Sequence, residues 1–169
     1  MFAMFRAAVL LLCLTGTAHA HDKYVSMWVG DLLIHTPVLR VTPQGAPVAG
    51  GYMAVENTGA GEEVLLAASV DIAEDTQIHE MVMSGDVMKM RAILDGIPIA
   101  AGATVRLEPG GLHLMLMRPK HALMMGSKYN VTLQFRNAGT VTLPFTVAPL
   151  KDIRALSEGD GHGGHDHGN

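Results

Sequence analysis

Leu112-His113-Leu114-Met115-Leu116-Met117 is the stretch that decides how this chain folds. Leucine alternates strictly with histidine or methionine, and a period of two belongs to a β-strand, whose successive side chains point to opposite faces. One face is therefore oily, with Leu112, Leu114 and Leu116, while the other carries His113, Met115 and Met117. The same alternation puts His79, Met81 and Met83 on one side of an earlier stretch, and Met88 and Met90 follow after Ser84-Gly85-Asp86. That tripeptide is turn chemistry, so the two methionine-bearing arms should form a hairpin with Met88 and Met90 facing the first row.

The rest of the chain reads in the same way. Strands are expected at residues 31–36, 51–57, 62–70, 77–83, 87–94, 104–107, 112–117, 128–136 and 140–147. Between them lie turn sequences such as Pro43-Gln44-Gly45, Asn57-Thr58-Gly59, Asp95-Gly96, Glu108-Pro109-Gly110-Gly111 and Asn137-Ala138-Gly139. Many short strands at this spacing predict an all-β fold, a single sandwich or barrel with Greek-key connections. Helix is expected only as a single turn near residues 121–125. From Ser157 onward the chain is mostly Gly, Asp and His with little to bury, so residues 157–169 are expected to form a disordered tail behind a domain spanning 21–156.

The first 20 residues have the form of an export signal. Arg6 precedes an apolar run from Ala7 to Leu14, and Ala18-His19-Ala20 has the small-x-small pattern that is cut after its last residue. Cleavage there makes His21 the new N-terminus, and removing 20 of 169 residues leaves 149. A lipid-anchored reading of Cys13 meets an obstacle in Leu12, which is bulkier than the small residue such a site wants. Cys13 is the only cysteine, so the exported product has no thiol to oxidise, which fits the periplasm. Without Arg6, 11 basic side chains remain against 16 acidic ones, which argues against nucleic acid or an anionic membrane surface as partner. No later stretch is apolar for the roughly 20 residues a membrane-spanning helix needs. The sequence also has no Gly-rich phosphate loop and no Ser/His/Asp order, and a non-enzymatic role is expected.

Imidazole and thioether together suit Cu(I), whereas Mg²⁺ or Ca²⁺ would require oxygen ligands. The His and Met rows thus point to copper. His79 and Met90 are separated by ten residues, and His113-Leu114-Met115 follows after twenty-two more. This spacing resembles the signature of the periplasmic PCuAC-type copper chaperones, a His, ten residues, a Met, about twenty-one residues, then His-x-Met. The additional residue is expected in the 95–102 loop. Ala46-Pro47 leading to Gly51-Tyr52-Met53, the Glu56-Asn57-Thr58-Gly59 turn, Val87-Met88-Lys89-Met90-Arg91 and Pro109-Gly110-Gly111 extend the resemblance across roughly residues 30–149. It implies a cupredoxin-like β-sandwich with Cu(I) ligands His79, Met90, His113 and Met115. It further implies delivery of copper toward the Cu(A) centre of cytochrome c oxidase, with Sco-type thiol proteins or oxidase subunit II as receivers.

Other candidates stand behind these four. Met81, Met83, Met88 and Met117 share faces with them and are possible secondary metal contacts. Met53, Met124 and Met125 are expected to be packing residues. His35 and His121 are read as surface or hydrogen-bonded histidines, and Glu80, Lys89 and Arg91 as a solvated hairpin face. His162, His165 and His167 in the tail could collect Cu(II) or zinc. His21 offers an amine and an imidazole to one Cu(II), the arrangement of an N-terminal-histidine copper oxygenase, but no second imidazole stands nearby. Copper buffering or resistance is the alternative to delivery, and a structural sandwich without metal is the bland one.

Overall fold

The computed structural model describes residues 25–159. In chain order its strands are β1 Met27–Val29, β2 Leu32–Arg40, β3 Val48–Asn57, β4 Glu63–Val70, β5 Asp75–Ser84 and β6 Val87–Ala92. They continue with β7 Ile97–Ile99, β8 Thr104–Leu107, β9 His113–Met117, β10 Lys128–Phe135 and β11 Thr140–Ala148, and the helix α1 spans Leu150–Gly159. The strands hydrogen-bond in the order β6-β5-β9-β3-β2-β11-β10-β4-β7, with β1 added to β2 and β8 to β3. The ladders are antiparallel except β11 on β2, where Thr146 faces Val38, so the sheet is mixed.

This ribbon curls into a sandwich because its two ends bury the same oil. Leu65 of β4 and Ile97 and Ile99 of β7 belong to one buried cluster with Ile78 of β5 and Leu114 and Leu116 of β9. Their alternation with polar or exposed neighbours supplies one apolar face per strand, and closing the faces on each other removes that surface from water. The expected all-β, single-domain sandwich is the architecture found, and the nine expected strands are all present.

Four local expectations need correction. The strand at 31–36 runs on to Arg40 through Pro37, because a register shift between His35 and Val38, with Thr36 at φ 44°, takes the proline out of the ladder it cannot donate to. The 95–102 segment is not a plain loop, since it holds the short edge strand β7 with Ile97 and Ile99 buried. Residues 121–125 form no helical turn; Leu123 is buried and exchanges both backbone hydrogen bonds with Thr42. Lastly, α1 covers Ser157 through Gly159, so the domain does not end at 156. Ile153 and Leu156 of that helix pack on Val38, Tyr52 and Ala148. The export signal, Cys13, His21 and the tail histidines His162, His165 and His167 lie outside the described residues.

Candidate metal centre

Three adjacent strands, β6, β5 and β9, bring the His and Met rows together. In the β5–β6 hairpin Met81 faces Met90 and Met83 faces Met88, and Ser84 and Val87 close the turn. Gly85 sits at φ 66°, which a glycine supplies at the first central position of a two-residue hairpin loop. On the other side of β5, His79 faces His113 and Gln77 faces Met115. The two imidazoles meet edge to face with centroids 5.8 Å apart. Met81, Met90, His113 and Met115 line a cleft of about 520 Å³ together with Tyr52 and Arg154. Gly50 faces Met115 across β3, and a Cβ there would run into the Tyr52 hydroxyl, so glycine leaves the room the phenol occupies. Burial pushes the Tyr52 phenol up, against the opposing pull of Arg40 and Arg154.

The hydrogen bonds fix which ring nitrogen of each histidine is bare. His113 is buried, and its Nδ1 lies 3.0 Å from the Gly111 carbonyl, which can only accept, so Nδ1 carries the proton and the neutral ring keeps its lone pair on Nε2. His79 is held by a longer chain. The Gln77 amide donates to the Asp75 carboxylate at 2.8 Å, which turns its carbonyl oxygen toward His79 Nε2, also at 2.8 Å. His79 Nε2 must therefore donate, and the lone pair sits on Nδ1. That Nδ1 is one of two buried side-chain polar atoms without a hydrogen-bond partner among the described residues. Burial first, and then repulsion from His113, holds the His79 pKa below its ordinary value, so the ring stays neutral.

Two bare imidazole nitrogens and several thioethers therefore share one edge of the sandwich. Among the described residues no group of three or more His, Cys, Asp or Glu side chains is placed to hold a metal. An ion in this place would have to complete its coordination with sulfur, which selects a soft cation. The donor set fits Cu(I) on that ground.

The other candidates separate cleanly. Met117 is half-buried opposite Asp75 and Val48, farther along β9. Met53 is core, as expected, but Met124 and Met125 stand in solvent and do not pack. His35 bonds to Ser26 and Glu56, and His121 packs on Tyr129. Arg91 forms two hydrogen bonds to Glu80 on the opposite hairpin face. Sequence reasoning missed Asp75 and Gln77, although the alternation that placed His79 and Met81 on one face extends back to both. It also missed the Gly111 carbonyl, a backbone group that no side-chain pattern reveals.

A family model described as "Putative lipoprotein LpqE-like" matches residues 32–147. A Leifsonia xyli subsp. xyli protein named "Putative lipoprotein Lxx21020" is 34% identical over 153 residues, covering 89% of this chain and 90% of that protein. Among solved structures, the copper-bound PCuAC domain from PmoF2 superposes with a TM-score of 0.62 at 26% identity, over 74% of this chain and 98% of that one. The solution structure of CuI-DR1885 from Deinococcus radiodurans gives 0.53 at 26% identity, over 66% of this chain and 74% of that one.

Proposed function

This chain belongs to the LpqE-like family and has a PCuAC-like domain, and from that premise we propose that it is a non-enzymatic copper carrier. It takes one Cu(I) per chain through His79, Met90, His113 and Met115. The observation that carries this reading is the unpartnered, buried Nδ1 of His79 beside His113, on an edge whose remaining donors are thioethers. Four neutral ligands leave the charge of Cu(I) uncompensated, so copper is held less firmly than by thiolates and can be handed on. Thiol-bearing receivers of the Sco type, and the Cu(A) centre of cytochrome c oxidase beyond them, suit such a donor.

A titration of the exported chain with Cu(I) against a chromophoric chelator tests the site. One equivalent held against the chelator is expected, and His113→Ala should lose it; a variant that competes as well as the parent refutes the assignment. For its location, the lipoprotein names describe the relatives. In this chain Leu12 stands before Cys13 and Ala18-His19-Ala20 follows, so we read export to the periplasm with cleavage after Ala20. The intact mass of the exported product, beginning at His21 without lipid, checks that reading.

A further inference from the structure

We propose that Met83 and Met88 form a second, exposed thioether station through which a soft cation enters and leaves the centre formed by His79, Met90, His113 and Met115. This rests on the Cu(I) reading above. Met83 and Met88 are directly paired across the β5–β6 hairpin, one rung beyond the Met81–Met90 pair. Residues two apart on a strand share a face, so the rungs stack: the His79 position, then Met81 with Met90, then Met83 with Met88. Each step is about 7 Å at the usual rise of a strand. Directly opposed side chains have Cβ atoms roughly 5 Å apart, a span that two flexible methionines close on a shared ion.

Packing does not account for this outer rung. Met83 is 62% exposed and Met88 47%, and neither belongs to a core cluster. Large apolar side chains left half or more in solvent at a hairpin tip contribute little burial, and an edge strand is ordinarily protected with charge instead. The charged residues of this hairpin, Glu80, Lys89 and Arg91, occupy the other face by alternation. Asp86 lies in the turn itself. What the ligand face offers is sulfur alone, and two thioethers bind a soft monovalent ion more weakly than a set that adds two imidazoles. Copper captured at the tip therefore moves inward, and a receiver with stronger ligands can draw it out by the same route.

Met124 and Met125 supply an internal control. They are more exposed still, at 64% and 66%, but neighbours in sequence rather than a cross-strand pair. With methionine methyl groups labelled with ¹³C, Cu(I) is added anaerobically as its acetonitrile complex to the exported chain. The first equivalent should shift Met90 and Met115, and the second Met83 and Met88 but not Met124 and Met125. In the double variant Met83→Leu with Met88→Leu, Cu(I) affinity for the first equivalent should be unchanged. Withdrawal of copper by a bulky chelator should slow by roughly tenfold, the effect of losing a modest stabilisation on the exit path. Unmoved Met83 and Met88 methyls, equal shifts at Met124 and Met125, or an unchanged withdrawal rate each overturn the station. If Met90 and Met115 fail to shift at the first equivalent, it is the carrier reading itself that falls.

Discussion

The tautomer of an imidazole is set by the bond on its other nitrogen, and for His79 that bond comes from a residue with no metal chemistry of its own. Gln77 receives the His79 Nε2 proton, and Asp75 fixes which way the Gln77 amide points. Without that acceptor the ring is free to move its proton to Nδ1, the atom that must bear the lone pair. Gln77→Leu keeps a similar side-chain volume and removes the acceptor. Outer partners of this kind are worth about 10- to 100-fold in metal affinity, so Cu(I) binding should weaken by that factor with the stoichiometry intact. Competition against a chromophoric chelator measures it, with the thermal midpoint as a check on folding. Affinity equal to the parent's would show that the relay does not orient His79.

At the scale of elements, the hairpin and β9 were legible because a period of two is unambiguous when histidine and methionine alternate with leucine, as in β9, or with charged residues and valine, as in the hairpin. The elements that were not legible share a physical reason. β1 and β7 have three residues each, too few to establish a period, and Pro98 within β7 reads as a break although an edge strand tolerates it. α1 buries only Ile153, with Leu156 half-buried beside it, and its neighbours have the composition of a tail. The turn between β10 and β11 has a fastening that composition also hides. The buried Glu63 carboxylate at the start of β4 accepts hydrogen bonds from the Val64, Asn137 and Ala138 amides at 2.8, 2.9 and 2.8 Å. Burial alone would raise its pKa, but these backbone donors outweigh it and hold the group below the 4.5 of a free side chain. A depressed folded pKa means stability that is complete above pH 4.5 and is lost as pH falls through the lower folded value. Glu63→Gln keeps one acceptor oxygen and turns an NH2 toward at least one of these backbone donors. It should lower stability near neutral pH by about 1 kcal/mol, the modest end for a charged acceptor bordering an open cleft, and flatten the acid loss. Urea midpoints at neutral and acid pH read both effects, and an acid slope identical to the parent's would exclude Glu63 as its source.

For the whole molecule, the question is where the folded domain ends and the histidine-rich extension begins. α1 answers it differently from composition. Ser157 Oγ donates to the Ile153 carbonyl inside the helix, so a cut at 156 would remove part of its last turn. The helix matters to the centre because Leu150 and Arg154 line the same cleft as Met90 and His113, and Ile153 seals against Tyr52 beneath it. A chain ending at Gly159 should therefore fold as the parent does and keep its Cu(I) equivalent. His162, His165 and His167 go with the removed segment, and imidazole beside Asp166 suits a borderline ion such as Cu(II) or Zn(II) better than Cu(I). Calorimetric titration with Cu(II) is expected to lose heat from the truncated chain in that segment's share, while Cu(I) competition is unaffected. If the truncated chain takes up as much Cu(II) as the full one, the extension is not the collector. If cleavage falls after Ala20, the amine and imidazole of His21 would then be the group to block next, since an amine and an imidazole on one residue also suit Cu(II).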